Sequence, residues 1–196
     1  IIEVSSKLMY NFNIIYADDE IEGYINKIAN YIKEKDGFIT YNSSENKRIV
    51  FYDYFNIPYR GLTLQYIKAL IFLDYEIVYL IYDKKQTKEL NEIEKIVESY
   101  SKGKIERIKQ GTPLETIIRM KKIIDDYNPE KIISHTSPWD VVGTVVLNLY
   151  NNIKNRYLIN ITDHTFWIGK NSYDYFIEFR DYGITVSMDY RNIEKD

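Results

Sequence analysis

Both histidines and both tryptophans of this chain fall in two short stretches, His135-Thr136-Ser137-Pro138-Trp139-Asp140 and Asp163-His164-Thr165-Phe166-Trp167-Ile168-Gly169. Scattered at random over 196 positions, four such residues would seldom gather so. Imidazole titrates near neutrality, and a carboxylate can hold its tautomer and stabilise the cation. His164 beside Asp163 therefore has the makings of a general base. Neighbours in a chain need not touch, so the orienting acid can also come from elsewhere. His135 ends a β-branched run, where an imidazole either meets a ligand or satisfies the backbone. Trp139 and Trp167 offer ring faces to a sugar or a base, or else plug their loops onto the sheet.

Further polar positions are less specific. The Arg60-Gly61-Leu62-Thr63 turn joins a residue that can pair with an anion to one that allows close backbone approach. Ser137 to Asp140 reads as a capping box with Pro138 at the first helical position, leaving N–H groups suited to a phosphate or carboxylate. Asp53, inside a strand, is either a buried hydrogen-bonded acid or a site residue. Glu178 and Arg180, flanking Phe179, read as a surface pair or else as part of the same rim. Asp18-Asp19-Glu20 open a helix rather than ligate a metal, so no metal site is expected. There is no G-x-G-x-x-G fingerprint, no P-loop and no G-x-S-x-G elbow. These absences argue against a dinucleotide dehydrogenase, an NTPase and an αβ-hydrolase.

The elements that must position these residues alternate. Strands are expected at 48–55, 75–82, 104–109, 131–134, 157–161 and 175–179. Helices are expected at about 64–73, 90–100, 112–127 and 137–150, the third carrying Leu114, Ile117, Ile118 and Ile124 on one side. Such alternation implies βαβ units with right-handed crossovers. The expected fold is a Rossmann-like α/β domain, a parallel sheet with helices on both faces. In that architecture ligands bind beyond the carboxyl ends of the strands, where both clustered loops fall. Residues 1–46 carry eight acidic and four basic side chains, with Ile21, Ile25, Ile28, Ala29 and Ile32 at helical spacing. They read as an acidic helical extension flanking a domain over 47–196.

Composition narrows the class. Hydrophobic residues at 45% and charged residues at 28% suit an ordinary globular chain. A net charge of −3 supplies no basic field for nucleic acid. With no cysteine, disulfides and thiolate chemistry are excluded. No apolar run approaches the roughly 18 to 20 residues of a membrane span, and the start has no signal-peptide pattern. The expectation is a cytoplasmic protein, with peripheral membrane contact left open.

Several of these segments resemble the N-terminal half of bacterial GT-B glycosyltransferases. They are the YDYF strand with Pro58 to Thr63, Gln65-Tyr66, Ala69-Leu70, the HTSPWDVVG run from His135 to Gly143, and the DHTFWIG run from Asp163 to Gly169. The last is similar to a D-H-x-F-W-x-G stretch of O-GlcNAc-transferase-like sugar transferases and is followed by a strand ending in Arg180. The resemblance covers about residues 47 to 193. It implies an acceptor-binding half facing a C-terminal donor-binding half of the same chain, a nucleotide-sugar donor, a carbohydrate or glycosylated acceptor, and no bound cofactor. His164 would be a base on the acceptor hydroxyl or a contact to the transferred sugar, and Arg60-Gly61 would approach the donor phosphates. The 196 residues hold only one such half, so this fragment is not expected to turn over alone. Two other readings are a non-catalytic α/β module binding a sugar or phosphorylated ligand, and a stand-alone enzyme on the same scaffold.

Overall fold

A β-branched run with no breaker, Arg48 to Asp53, becomes a strand buried almost throughout, and the same logic repeats along the chain in a computed structural model of the protein. The structure describes residues 1–11, 14–36, 46–57, 61–83, 89–109, 111–151 and 155–194, with residues 36 and 83 described by their backbone. The strands are β1 (Arg48–Asp53), β2 (Glu76–Asp83), β3 (Gly103–Lys109), β4 (Lys131–His135), β5 (Arg156–Ile159) and β6 (Tyr175–Ile177). The helices are α1 (Ile2–Asn11), α2 (Asp19–Asp36), α3 (Gly61–Phe72), α4 (Glu92–Ser99), α5 (Pro113–Tyr127), α6 (Val141–Leu149) and α7 (Asp181–Asp189). The strands form a six-stranded parallel sheet in the order β3-β2-β1-β4-β5-β6, as the alternating pattern predicts. That is the Rossmann order, in which the strand sequence reverses between β1 and β4.

The chain forms two compact units, one of Thr40–His135 and one of Ile1–Ile39 with Thr136–Asp196. In the first, Ile49, Val50, Phe51, Ile77, Tyr79 and Ile81 are buried, and β1 pairs in parallel with β2 and β4. Helix α5 starts as its sequence announces. The Thr112 hydroxyl accepts from the Glu115 N–H, the Glu115 side chain accepts from the Thr112 N–H, and Pro113 sits at the first position. Its buried residues are Thr116, Ile117, Met120 and Ile124. Leu114 and Ile118, expected on the same side, are exposed, one in the first turn and the other off the 117-120-124 stripe.

In the second unit, α6 is buried at every residue from Gly143 to Leu149, and α2 packs on it, with Asn148 donating to Asn26 at 2.7 Å. Helix α2 opens where the acids announce it, Asp18 accepting from the Ile21 N–H at 2.9 Å. Ile28, expected in its core stripe, is 37% exposed. Helices α1 and α7 were not foreseen. Both carry large exposed apolar side chains among polar ones, which blurs the helical period. Among the described residues no helix is long and apolar enough to cross a membrane.

Candidate functional site

Four residues past the end of β5, Asp163 is 4% exposed and makes three side-chain hydrogen bonds. The Arg180 guanidinium donates through Nε to Oδ2 at 2.8 Å and through Nη2 to Oδ1, and His164 Nδ1 lies 3.3 Å from Oδ1. Burial alone would raise the Asp163 carboxyl, but the bonds from Arg180 and His164 outweigh it and hold the group below its ordinary value. An ionised carboxylate only accepts. In the neutral imidazole Nδ1 must therefore carry the proton, which leaves Nε2 with its lone pair. The His164 side chain is 63% exposed, so the ring is open to solvent. Adjacent residues do touch here, and the orienting acid is Asp163 itself. Arg180 and Glu178 do not pair with each other as read from the sequence. Glu178 Oε1 instead accepts from Asn160 at 2.7 Å and from the Ser187 hydroxyl at 2.6 Å.

Three residues that hold this turn carried no motif. Arg191 is completely buried, and its Nη2 donates to the carbonyls of Asp163 at 3.0 Å and Thr165 at 2.7 Å. Its guanidinium lies over the Trp167 ring at 4.6 Å and the Tyr16 ring at 5.5 Å, and burial pulls its pKa down to about 10. At the other end of the loop, the Glu22 carboxylate of α2 accepts from the N–H of Gly169 at 2.6 Å, Lys170 at 3.3 Å and Asn171 at 3.5 Å. The third residue is Gly183 of α7, where a Cβ would stand 2.6 Å from Glu178 Oε2 and 2.9 Å from Asp163 Oδ2, so only glycine leaves both carboxylates room. Glu22 alone left a trace in the sequence, as an acid at the spacing of Ile25 and Ala29 on the apolar face of its helix.

Burial pushes the Glu22 carboxyl up, against the pull of its three N–H bonds. Folded, it takes up its proton at a higher pH than in the unfolded chain. Between the ordinary carboxylate range and that raised value the folded state binds more protons, so stability falls as pH rises through the window. Measured by urea unfolding from about pH 4 to about pH 8, the stability of the native protein relative to Glu22→Gln should decline with rising pH and then level off. A difference that grows with pH would mean that the N–H bonds outweigh burial.

The second predicted loop joins the first, because the Ile168 N–H donates to the Pro138 carbonyl at 3.1 Å. Gly169, at φ +103°, approaches α6 so closely that a Cβ would lie 2.8 Å from Thr144 Cγ2. The helix begins later than its capping-box pattern suggests. Pro138 and Trp139 form a turn, and Asp140 is the N-cap, accepting from the Gly143 N–H at 2.9 Å and from Thr136 Oγ1 at 2.6 Å. A carboxylate thus already occupies the end that the sequence offered to a phosphate. Trp167 is buried between Phe176 and Arg191, and Trp139 is half-buried against Tyr10, with ring centroids 5.6 Å apart.

The remaining candidates sit in the other unit. Asp53 and His135 are opposite each other at the carboxyl ends of β1 and β4, and both are fully buried. Asp53 Oδ1 accepts from the N–H of Phe55 at 3.0 Å and Asn56 at 3.2 Å, and Oδ2 accepts from the Tyr79 hydroxyl at 2.8 Å. His135 Nδ1 lies 3.0 Å from Thr63 Oγ1 and 3.7 Å from Asp53 Oδ1. The point where the strand order reverses is therefore closed by a polar network. Gly61 is the first residue of α3, and a Cβ there would meet nothing within 4 Å. Arg60 lies outside the described residues. No family model matches the chain, and no curated protein or solved structure matches it.

Proposed function

We propose that this chain is the acceptor-side domain of a GT-B glycosyltransferase that moves a sugar from a nucleotide-sugar donor to an acceptor hydroxyl. The observation that carries the reading is the exposed imidazole of His164, whose Nδ1 rests on the ionised Asp163. The DHTFWIG segment and a Rossmann-order sheet support it.

On this reading His164 Nε2 takes the proton of the acceptor hydroxyl as its oxygen attacks the anomeric carbon, and the bond from that carbon to the diphosphate breaks to release the nucleoside diphosphate. Asp163 holds the tautomer and stabilises the imidazolium that forms. Arg180, spent on Asp163 through two nitrogens, fixes the carboxylate and leaves Nη1 at the rim. On this reading the donor is held by a C-terminal half of the same polypeptide. His135 is fully buried, bonded to Thr63 of α3 and packed against Phe55 after β1.

The test is His164→Ala in the full native polypeptide, followed by transfer of labelled sugar. Because the side chain is exposed, the melting temperature should stay within about 2 °C of the native value. Turnover should fall by roughly 10²- to 10⁴-fold, the usual contribution of a positioned base. Unchanged turnover removes His164 from the mechanism. A native polypeptide that binds sugars but transfers none would leave a binding module in place of an enzyme.

A further inference from the structure

An unbroken set of contacts leads away from the dyad. The Arg180 guanidinium that clamps Asp163 also lies over the Tyr182 ring at 5.7 Å. The Tyr182 hydroxyl is 3.3 Å from that of Tyr16. The Tyr16 ring sits 5.2 Å from the Tyr190 ring, with the buried Arg191 guanidinium against it. At the open face Tyr182 is 48% exposed and Tyr190 60% exposed. These rings are not loose surface aromatics, because each is held by a neighbouring ring, a phenol or a guanidinium.

Resting on the glycosyltransferase reading, we infer that this strip is the acceptor subsite and that the acceptor is a neutral oligosaccharide rather than a single sugar or an apolar group. The chemistry selects that class. Both cations of the strip are already engaged, Arg180 by a carboxylate and Arg191 by two carbonyls and two rings. Arg180 is ion-paired and Arg191, though still charged, is completely buried, so neither offers an anion an exposed unpaired cation. What remains on offer is a succession of ring faces with phenol, guanidinium and imidazole edges between them. A pyranose presents the matching surface, with C–H groups on its face for an aromatic ring and hydroxyls on its rim for planar polar groups. Tyr182 and Tyr190 are eight residues apart along α7 and its cap, a rise of roughly 12 Å. That is longer than one sugar ring, so the strip holds at least two units, with the terminal hydroxyl delivered to His164.

The test titrates the isotope-labelled 196-residue chain with neutral linear glycans, namely maltose, maltotetraose, N,N′-diacetylchitobiose, chitotetraose and cellotetraose, alongside glucose and N-acetylglucosamine. Tetrasaccharides should perturb the resonances of Tyr182, Tyr190 and His164 and bind at least tenfold more tightly than the single sugars, each further stacked ring adding about a factor of ten. Tyr182→Ala and Tyr190→Ala should each weaken tetrasaccharide binding about tenfold, while Tyr31→Ala, equally exposed on α2, should not. Binding untouched by both strip variants, or no shift at these residues with any glycan, overturns the inference. The two readings fail separately. In the full native polypeptide, transfer with an unchanged acceptor KM in the tyrosine variants refutes the strip alone, whereas glycan binding on the strip without transfer refutes the enzyme alone.

Discussion

Arg191→Leu should unfold with a stability loss of about 3 kcal/mol, a fall of roughly 6–12 °C in melting temperature for a chain of this size. The leucine keeps apolar bulk beside Trp167 but has no donor for the carbonyls of Asp163 and Thr165, which Arg191 now serves with one nitrogen. Leaving buried acceptors unmet costs more than the bonds were worth in net terms, since both lose water and partner together. Arg191→Lys separates charge from geometry. An ammonium keeps the charge and has donors enough for both carbonyls, but it does not lie flat on the indole, so part of the loss should persist. Thermal unfolding followed by circular dichroism checks both. A leucine variant within about 1 kcal/mol of the native protein would show the guanidinium to be dispensable.

Asp53→Ala should cost about 4 kcal/mol in urea unfolding with an unchanged slope. The alanine strips an acceptor from two backbone N–H groups and from the fully buried Tyr79 hydroxyl, and it leaves His135 without the carboxylate 3.7 Å away. The Tyr79 hydroxyl cannot escape by ionising, because burial, the larger cause of its raised pKa and the one that survives the substitution, still disfavours the phenolate. Asp53→Asn keeps one accepting oxygen but turns a donor toward the Tyr79 hydroxyl or the backbone N–H groups, so about half the loss should remain. A loss below about 1 kcal/mol for the alanine variant would refute the network's structural role.

The fold was legible where local chemistry decides it. Strands that need burial on both faces must be continuous β-branched and aromatic runs, and β1, β2 and β4 could be read at once. Helix α5 was legible from its cap. Helix α6 shows the limit, since a capping-box pattern states which groups can cap and not which will. Asp140 took the position because its carboxylate reaches both the Gly143 N–H and Thr136. The Asp163–His164 contact was visible as a pairing of types. Arg191, Glu22 and Gly183 were not, because each acts on a segment far off in sequence and no local period encodes such a partner. Clustering of rare residue types did not separate exposed from buried members, since His135 and Trp167 are buried while His164 is exposed.

The interleaved make-up of the second unit bears on the order of events during synthesis. Residues 40–135 form a unit from consecutive chain, with β1–β2 and β2–β3 pairings 28 and 26 positions apart and the β1–β4 pairing 82, and can gather as they are made. The dyad's unit has no such freedom. Glu22 waits for Gly169, 147 positions on, and the Met9 carbonyl waits 156 positions for the Thr165 hydroxyl. Arg191 comes later still. A ribosome working at roughly 5–20 residues per second thus leaves the amino-terminal helices without their partners for some seconds, with Ile21, Ile25 and Ile32 exposed to whatever else is near. Nascent chains stalled before residue 191 should be the ones that chaperones hold and proteases cut within α2.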